Sequence, residues 1–215
     1  MSAKETLFSR FNNPIQSSED LEMVVGKPMD NTIEKEVHHL DEICRDFIAA
    51  SPFCLMATAD PDGFIDISPK GDPEGFVQVL DDNLLAIPDR PGNRRADTFH
   101  NVMKDPRMGL IFFIPGKGET LRVNGEARIV QDEALCQSMA VKGKAPRLAV
   151  LLYVERAFMH CPKCMIRSHM WQPDAWTDSS AIPDIGTAII KQAHLDTTLE
   201  KLTAEVEKQG GLDLY

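Results

Sequence analysis

The sequence predicts a mainly β protein of the α+β class, built as an antiparallel barrel flanked by helices. Short apolar or alternating segments follow one another from about residue 53 to residue 158 and are separated by tight turns, a pattern typical of barrels. Only short helical segments interrupt them, whereas a doubly wound parallel sheet needs a helix between successive strands. The clearest hairpin joins the apolar run at residues 53–59 to a strand at residues 64–69 through an Asp-Pro-Asp-Gly turn.

The remaining strands are predicted from their hydrophobic patterns. A second hairpin spans residues 76–87 around an Asp-Asp-Asn turn. Residues 108–114 form a dense apolar run that favours a strand buried on both faces, and residues 148–158 form the last strand. Between these two, residues 120–130 alternate between polar and apolar types, and Gly125 at the centre indicates a bulge or the close approach of another segment.

The clearest predicted helix covers residues 34–50, where apolar residues recur at three- and four-residue spacing. Further helices are predicted at residues 18–25, 96–104, 132–139 and 185–210. Together, the elements predict an N-terminal extension at residues 1–32, a barrel domain at residues 33–172, and a C-terminal irregular segment and helix at residues 173–215 that pack on the barrel.

Composition excludes several classes of function. The chain has 215 residues and a formal net charge of −10, which disfavours bulk binding to nucleic acid or to anionic membranes. No apolar run approaches the roughly 20 residues of a membrane span, and the first residues do not have the pattern of a signal peptide. The five cysteines are odd in number and mostly scattered, so we expect a cytoplasmic protein without a disulfide framework.

A cluster of arginines marks the candidate functional site. Arg90, Arg94 and Arg95 surround a Pro-Gly-Asn turn within residues 87–99 of an otherwise acidic chain. Arginine supplies planar and permanently charged donors, and a turn before a helix offers free backbone N–H groups. We therefore interpret this arginine turn, residues 90–95, as a phosphate site. The alternative is a solvated loop whose arginines pair with nearby acids.

Two shorter segments support this interpretation. Ile67, Ser68 and Lys70 lie near the end of a predicted strand, and Thr120 and Arg122 lie on one face of another. Each segment alone is ordinary. Taken with the arginine turn, they predict a ligand that has a phosphate tail and a ring with a polar edge.

The pair Cys161 and Cys164 is the motif that is easiest to over-interpret. A zinc site needs a second pair of ligands, and a thioredoxin-type role needs a βαβ context that is not evident here. We favour structural or incidental thiols, with a redox role and a metal site as alternatives, and we predict no metal. The GxSxG, GxxxxGK[ST] and GxGxxG templates are absent from the sequence.

Several stretches together resemble the pyridoxamine 5′-phosphate oxidase-like superfamily of FMN-binding split barrels. They are residues 51–53, 57–63, 66–72, 87–99, 119–129 and 160–171. Within the superfamily, the chain is most similar to FMN-dependent enzymes of unknown substrate. The resemblance implies a homodimer of six-stranded split barrels with two FMN molecules at the interface, and an oxidoreductase that acts on an unknown small molecule. It implies no catalytic residue, because hydride transfer to a flavin requires none on the protein.

The resemblance also implies which residues bind FMN. They are Ile67, Ser68, Lys70, Pro88, Asp89, Arg90, Asn93, Arg94, Arg95, Thr120, Arg122 and Trp171. The first three resemble the strand beside the isoalloxazine ring and the ribityl chain, and the next two resemble the end of the following flavin-contacting strand. Arg94 and Arg95 match the basic pair on the phosphate, with Asn93 at the adjoining polar position, whereas Arg90 lies in a turn one residue longer than the oxidase has.

The other matches depart further from the oxidase. Thr120 stands where the oxidase has a glutamine, Arg122 follows on the same strand, and Trp171 resembles an aromatic residue that reaches the flavin from the partner subunit. Trp171-Gln172 is followed by Pro173 rather than by the oxidase's C-terminal arginine pattern. These departures disfavour oxidation of pyridoxamine 5′-phosphate. The alternatives to an FMN-dependent oxidoreductase of unknown substrate are a true pyridoxamine 5′-phosphate oxidase, a non-catalytic flavin carrier, or a haem-binding relative that would use His100, His160 or His169.

Overall fold

The computed structural model describes residues 2–211 and 213–215, and the chain divides into the units Met1–Lys35 and Glu36–Tyr215. The described part of the first unit contains the short helices α1 (Ala3–Phe8), α2 (Ser18–Val25) and α3 (Asp30–Glu34). The α2 helix begins where its sequence predicts, because the Ser17 hydroxyl accepts a hydrogen bond from the backbone N–H of Asp20 at 3.0 Å.

The second unit is built on one antiparallel sheet, which among the described residues has seven strands. They are β1 (Phe53–Ala59), β2 (Ile65–Gly71), β3 (Gln78–Asp81), β4 (Leu84–Pro88), β5 (Arg107–Phe113), β6 (Thr120–Val130) and β7 (Ala149–His160). Their order is β2-β1-β5-β6-β7-β4-β3. Both predicted hairpins are confirmed, as β1–β2 and β3–β4. The count of six strands implied by the family resemblance is wrong, because the four-residue strand β3, predicted as half of the second hairpin, pairs along the outer edge of β4 and adds a seventh.

Short helices connect and flank the strands. They are α4 (Glu42–Ala49), α5 (Asp97–Val102), α6 (Glu133–Ser138), α7 (Lys163–Arg167), α8 (Ile185–Gln192) and α9 (Leu199–Lys208), with a 3₁₀ turn at Pro173–Ala175. The helix predicted at residues 185–210 is therefore two helices. Among the described residues, no helix is long and apolar enough to cross a membrane.

The helix predicted at residues 34–50 is wrong in its first half. Asp41 caps α4 by accepting a hydrogen bond from the backbone N–H of Cys44 at 2.9 Å, so the helix begins there. Before it, Val37 forms an antiparallel bridge with Ala157 on β7, with hydrogen bonds of 2.9 and 2.8 Å. Val37 packs against the core in this extended conformation, so its apolar character fits the observed bridge as well as it fits a helix.

The core lies between the inner face of the sheet and α4. Alternate residues of each strand face it, and Met56, Phe112, Leu121 and Leu152 are almost completely buried. Phe47 of α4 packs into the same cluster. This alternation fixes which side chains of β1, β2 and β6 point outward, and it thereby sets the two faces on which the candidate site residues lie.

Gly125 allows a bulge in the longest pairing of the sheet. The register between β6 and β7 shifts between Asn124 and Gly125, and at this point the backbones approach closely. A Cβ atom on Gly125 would lie 1.8 Å from the carbonyl oxygen of Tyr153, a distance that only a backbone shift could relieve. The bulge predicted from this glycine is therefore confirmed.

Replacing Gly125 by alanine should lower the free energy of unfolding by about 3 kcal/mol, because the backbone of β6 must move away from β7. The matched control is Gly92→Ala in an exposed turn, where the added Cβ would lie 4.0 Å from the nearest atom, the carbonyl oxygen of Arg90. We expect that control to change stability by less than about 0.5 kcal/mol. Urea denaturation measures both, and equal effects would contradict the assignment.

Candidate functional site

Strand β2 carries the first group of candidate residues on two different faces. Ser68 and Lys70 lie opposite Met56 and Cys54 of β1, so they share the inner face and are half-buried. Ile67 alternates with them and points outward, with 63% of its surface exposed. The three neighbouring candidates therefore do not line a single surface of one chain.

The ends of β2 and β4 meet through a buried ion pair. Arg90 Nε donates to Asp72 Oδ2 at 2.5 Å, and the two side chains are only 14% and 2% exposed. Arg90 Nη2 also donates to the carbonyl oxygen of Met139 at 2.7 Å. Because four strands separate β2 from β4 in the sheet, this contact shows that the sheet curls round and that side chains, rather than a hydrogen-bonded ladder, join its two sides at this end.

Lys70 and Asp89 belong to the same junction. Burial raises the pKa of Asp89, and the nearby Lys70 and Arg90 partly oppose this by lowering it. Pro88, which ends β4, is buried next to Asp89. The end of β2 and the start of the arginine turn therefore form one half-buried, charged corner.

The arginine turn has an unusual backbone. Arg94 and Ala96 have φ angles of 61° and 58°, in the left-handed region that costs non-glycine residues about 1–2 kcal/mol. Between them, the backbone N–H of Arg95 donates to Asn93 Oδ1 at 3.0 Å. Such strain is concentrated at functional sites in proteins, and alternating backbone conformations of this kind direct N–H groups toward anions.

The side chains of the turn differ in their partners. Arg95 Nε donates to Asp97 Oδ2 at 2.7 Å, and this bond raises the pKa of Arg95, with a smaller effect from Asp66 on β2. Arg94 is exposed and has no hydrogen bond or ion pair to any residue that the structure describes. Pairing with acids therefore accounts for Arg90 and Arg95 and leaves Arg94 available.

A second group of candidates lies where β6 begins. The Arg122 guanidinium stacks over the ring of Phe158 at 4.0 Å and lies 3.9 Å from Glu36. Its Nε atom is buried and finds no hydrogen-bond acceptor among the described residues. Thr120 is buried two residues earlier, and Trp171 Nε1 donates to the carbonyl oxygen of Lys117 at 2.7 Å.

A cavity of about 710 Å³ opens on the outer face of the sheet beside Arg122. Small residues and polar side chains line it, including Ala57, Gly109, Asn124 and Arg156. A Cβ atom on Gly109 would lie only 3.0 Å from Asn124 Nδ2. Glycine at this position therefore leaves space in the cavity beside Asn124. The volume falls within the range of small-molecule sites.

Sequence reasoning missed several residues of the charged corner. Asp72 lies in a segment that carries the family resemblance, but nothing local indicates that it pairs with Arg90. The carbonyl oxygen of Met139 offers no side-chain signal. Tyr215 reaches Asp72 from 143 positions further along the chain, a contact that no local pattern reveals.

The cysteines fall into two classes. Cys161 and Cys164 are exposed at the start of α7, whereas Cys44, Cys54 and Cys136 are buried, and all five are free thiols. Burial raises the pKa of both Cys44 and Cys54 to about 12. Among the described residues, no group of three or more His, Cys, Asp or Glu side chains is arranged to hold a metal ion.

The curled antiparallel sheet and the charged corner at the end of β2 define the class of protein, a split barrel. The family model for pyridoxamine 5′-phosphate oxidase matches residues 40–161, more than half of the chain. The chain therefore belongs to this family, within the pyridoxamine 5′-phosphate oxidase-like split-barrel superfamily, and the predicted resemblance is confirmed.

Solved structures with a similar fold are distant. HupZ from Group A Streptococcus is 21% identical, with 55% of this chain and 92% of that chain covered and a TM-score of 0.47. A NimC/NimA family protein from Clostridium acetobutylicum is 17% identical, with 57% and 88% covered and a TM-score of 0.43. A protein from the same organism, related to general stress protein 26, is 14% identical, with 54% and 84% covered and a TM-score of 0.43. No curated protein sequence matches the chain.

Thiol labelling of the native protein at pH 8 should modify two cysteines rapidly, because only Cys161 and Cys164 are exposed and a thiol whose pKa is raised stays protonated and unreactive. The other three of the five should react only after unfolding. Counting labelled thiols by mass spectrometry measures this, and the double variant Cys161→Ser/Cys164→Ser should lose the fast phase. A third rapidly labelled cysteine in the folded protein would contradict the burial described here.

Proposed function

We propose that the protein is an FMN-binding oxidoreductase that acts on a small molecule. Membership of the pyridoxamine 5′-phosphate oxidase family supports a flavin. The observation that carries the proposal is the arginine turn: Arg94 has no side-chain partner among the described residues, its backbone is strained, and Arg90 ties the same turn to Asp72 just after β2. Arg94 therefore offers a cation to a phosphate without first breaking an internal ion pair, whereas Arg95 would share or exchange its bond to Asp97.

The residues present fit an FMN phosphate and a polar ring edge. Arg94 and Arg95 would hold the phosphate, with the Asn93 side chain fixing the turn between them. Ser68, Lys70 and Asp89, together with the buried Pro88, would line the ribityl chain from the inner face of β2 and the end of β4. Arg90 is engaged with Asp72 and Met139, so its contribution is to anchor the turn.

The outward-facing residues would meet the ring from a second surface. Ile67 and Arg122 lie on the outer face. The buried Nε of Arg122 is a donor without an acceptor in the described chain, so it could donate a hydrogen bond to an oxygen or nitrogen atom of the flavin ring. Thr120 and Trp171 lie near the same end of β6. FMN supplies the hydride and electron transfer, and the protein supplies binding, orientation and the exclusion of water.

A homodimer would bring the two surfaces together. Ile65 and Ile67 of β2, an edge strand, are each 63% exposed, and Phe64 immediately before this strand is 73% exposed. An apolar edge of this kind favours association. We propose that it forms the dimer interface, across which Trp171 reaches the flavin of the other subunit. We also propose a cytoplasmic location, since all five cysteines are free thiols.

Spectroscopy tests the proposed function. The purified protein, or the protein after addition of FMN, should absorb near 375 and 450 nm, at about the positions expected of a flavin. An oxidoreductase should lose the band near 450 nm when NADH, NADPH or a reducing substrate is added under argon, and regain it in air. A yellow protein that no such donor reduces would instead be a flavin carrier, and a protein that binds no FMN would contradict the proposal.

The double variant Arg94→Ala/Arg95→Ala should bind FMN at least ~100-fold more weakly, because two charge-assisted phosphate contacts worth about 1.5–3 kcal/mol each are lost. Quenching of FMN fluorescence measures the affinity. The control Arg128→Ala/Arg147→Ala removes two exposed arginines outside the arginine turn and should leave it unchanged. Equal affinity of the two double variants would show that the phosphate lies elsewhere.

The substitution Ile65→Glu should convert the dimer to a monomer of 24.0 kDa, because it places a charge in the middle of the apolar edge. Light scattering coupled to size-exclusion chromatography measures the mass. Leu80→Glu is the control, because Leu80 is an exposed apolar residue on β3, the opposite edge strand. If only Leu80→Glu dissociates the protein, the interface lies on the other edge.

A further inference from the structure

Tyr215 fills a pocket between Asp72, Arg90, Lys142 and Lys144, and an open cavity adjoins this pocket at the charged corner. Asp213, Leu214 and Tyr215 lie with Asp72 and Arg90 around a cavity of about 540 Å³. The Tyr215 hydroxyl donates to Asp72 Oδ1 at 2.9 Å, on the carboxylate whose other oxygen accepts from Arg90. At the opposite end, Lys144 Nζ donates to the main-chain oxygen of Tyr215 at 2.8 Å.

The ring of Tyr215 is also contacted by cations. The Arg90 guanidinium lies 5.6 Å from the ring centroid and Lys142 Nζ lies 5.5 Å from it, both within the range of cation–π attraction. The pocket therefore recognises three parts of one residue: a hydroxyl, an aromatic ring and an oxygen acceptor on the far side.

Tyr215 can leave this pocket without disturbing the core. From residue 161 to residue 215, none of the described residues is buried, and α8 and α9 contribute no side chain to the core clusters. Departure of Tyr215 costs the contacts of the pocket itself. When Tyr215 leaves, Asp72 Oδ1 loses its hydrogen-bond donor. Because a buried acceptor without a donor is costly, the empty pocket favours a ligand that supplies a hydroxyl in place of Tyr215.

The charges of the pocket specify that ligand. Arg90 neutralises Asp72, whereas Lys142 and Lys144 form no ion pair with any Asp or Glu side chain that the structure describes. The pocket thus carries excess positive charge at the end opposite the hydroxyl acceptor. An aromatic ring with a hydroxyl group at one end and an anionic group at the other reproduces every contact that Tyr215 makes, with a charge-assisted bond to Lys144.

We propose that this pocket is a binding site for hydroxyaryl carboxylates, which Tyr215 occupies from within the same chain and which such a ligand opens by displacing Tyr215. The site is distinct from the proposed FMN contacts at Arg94 and Arg95, and binding requires no flavin. A suitable probe is 3-(4-hydroxyphenyl)propanoate, which reproduces the tyrosine side chain and places a carboxylate where the main-chain oxygen of Tyr215 lies. Its matched control is 3-phenylpropanoate, which lacks the hydroxyl.

The chain contains only two tyrosines, so labelling with 3-fluorotyrosine gives two ¹⁹F resonances that Tyr215→Phe assigns. Addition of the hydroxylated probe to the full-length protein should move the Tyr215 resonance to a solvent-exposed position, while that of Tyr153 on β7 stays in place. The control compound should need a concentration at least ~10-fold higher, because it leaves the Asp72 carboxylate without a donor. A Tyr215 resonance that neither compound moves, or that both move equally, would overturn the proposal.

A second pair of variants keeps the test independent of that resonance. Tyr215→Ala empties the pocket and should bind the hydroxylated probe at least ~10-fold more tightly than the natural sequence, because competition within the chain is removed. Adding Lys144→Ala should reverse this gain through loss of the carboxylate contact, and Lys144 is exposed, so folding is unaffected. Calorimetry measures both affinities. Failure of Tyr215→Ala to bind the probe, or equal binding by the double variant, would show that the pocket serves only to hold the tail.

Discussion

The ion pair between Asp72 and Arg90 is the contact on which the candidate site depends. It joins the residue after β2 to the second residue after β4, although four strands lie between them in the sheet. Burying two opposite charges is costly, and the cost is offset only when further hydrogen bonds satisfy both groups. Here the carbonyl oxygen of Met139 and the hydroxyl of Tyr215 provide them, so four distant segments fix one position.

This anchoring explains why the three arginines of the turn have different environments. Arg90 is held by the corner and sets where the turn leaves the barrel. Residues 91–95, which follow it, are exposed, and Arg94 and Ala96 have left-handed conformations. Such conformations persist only where surrounding contacts determine them, and the Asp72–Arg90 pair at one end and α5 at the other supply those contacts.

Much of the fold could be predicted from the sequence, because its signals are local. The Asp-Pro-Asp-Gly turn and the alternation of β1 and β6 specify hairpins and faces, and the site residues of the arginine turn follow from composition and family resemblance. Val37 shows where this fails: its spacing fits a helix, but pairing with Ala157 holds it extended. The short strand β3 is predicted from the sequence as half of the second hairpin, whereas the count of six strands comes from the family resemblance alone.

The contacts that could not be predicted are those between distant segments, and they determine how the two proposed ligand sites relate. Arg90 contacts Asp72 and Tyr215 on one side and begins the arginine turn on the other. Any ligand that replaces Tyr215 therefore contacts Arg90 as well. Such a ligand influences the arginine turn only to the extent that it changes the position of the Arg90 side chain. A ligand that holds Arg90 against Asp72, as Tyr215 does, leaves phosphate binding at Arg94 and Arg95 unchanged. A ligand that draws Arg90 away from Asp72 weakens phosphate binding. Because coupling between two sites is reciprocal, phosphate binding then weakens the binding of that ligand to the same extent.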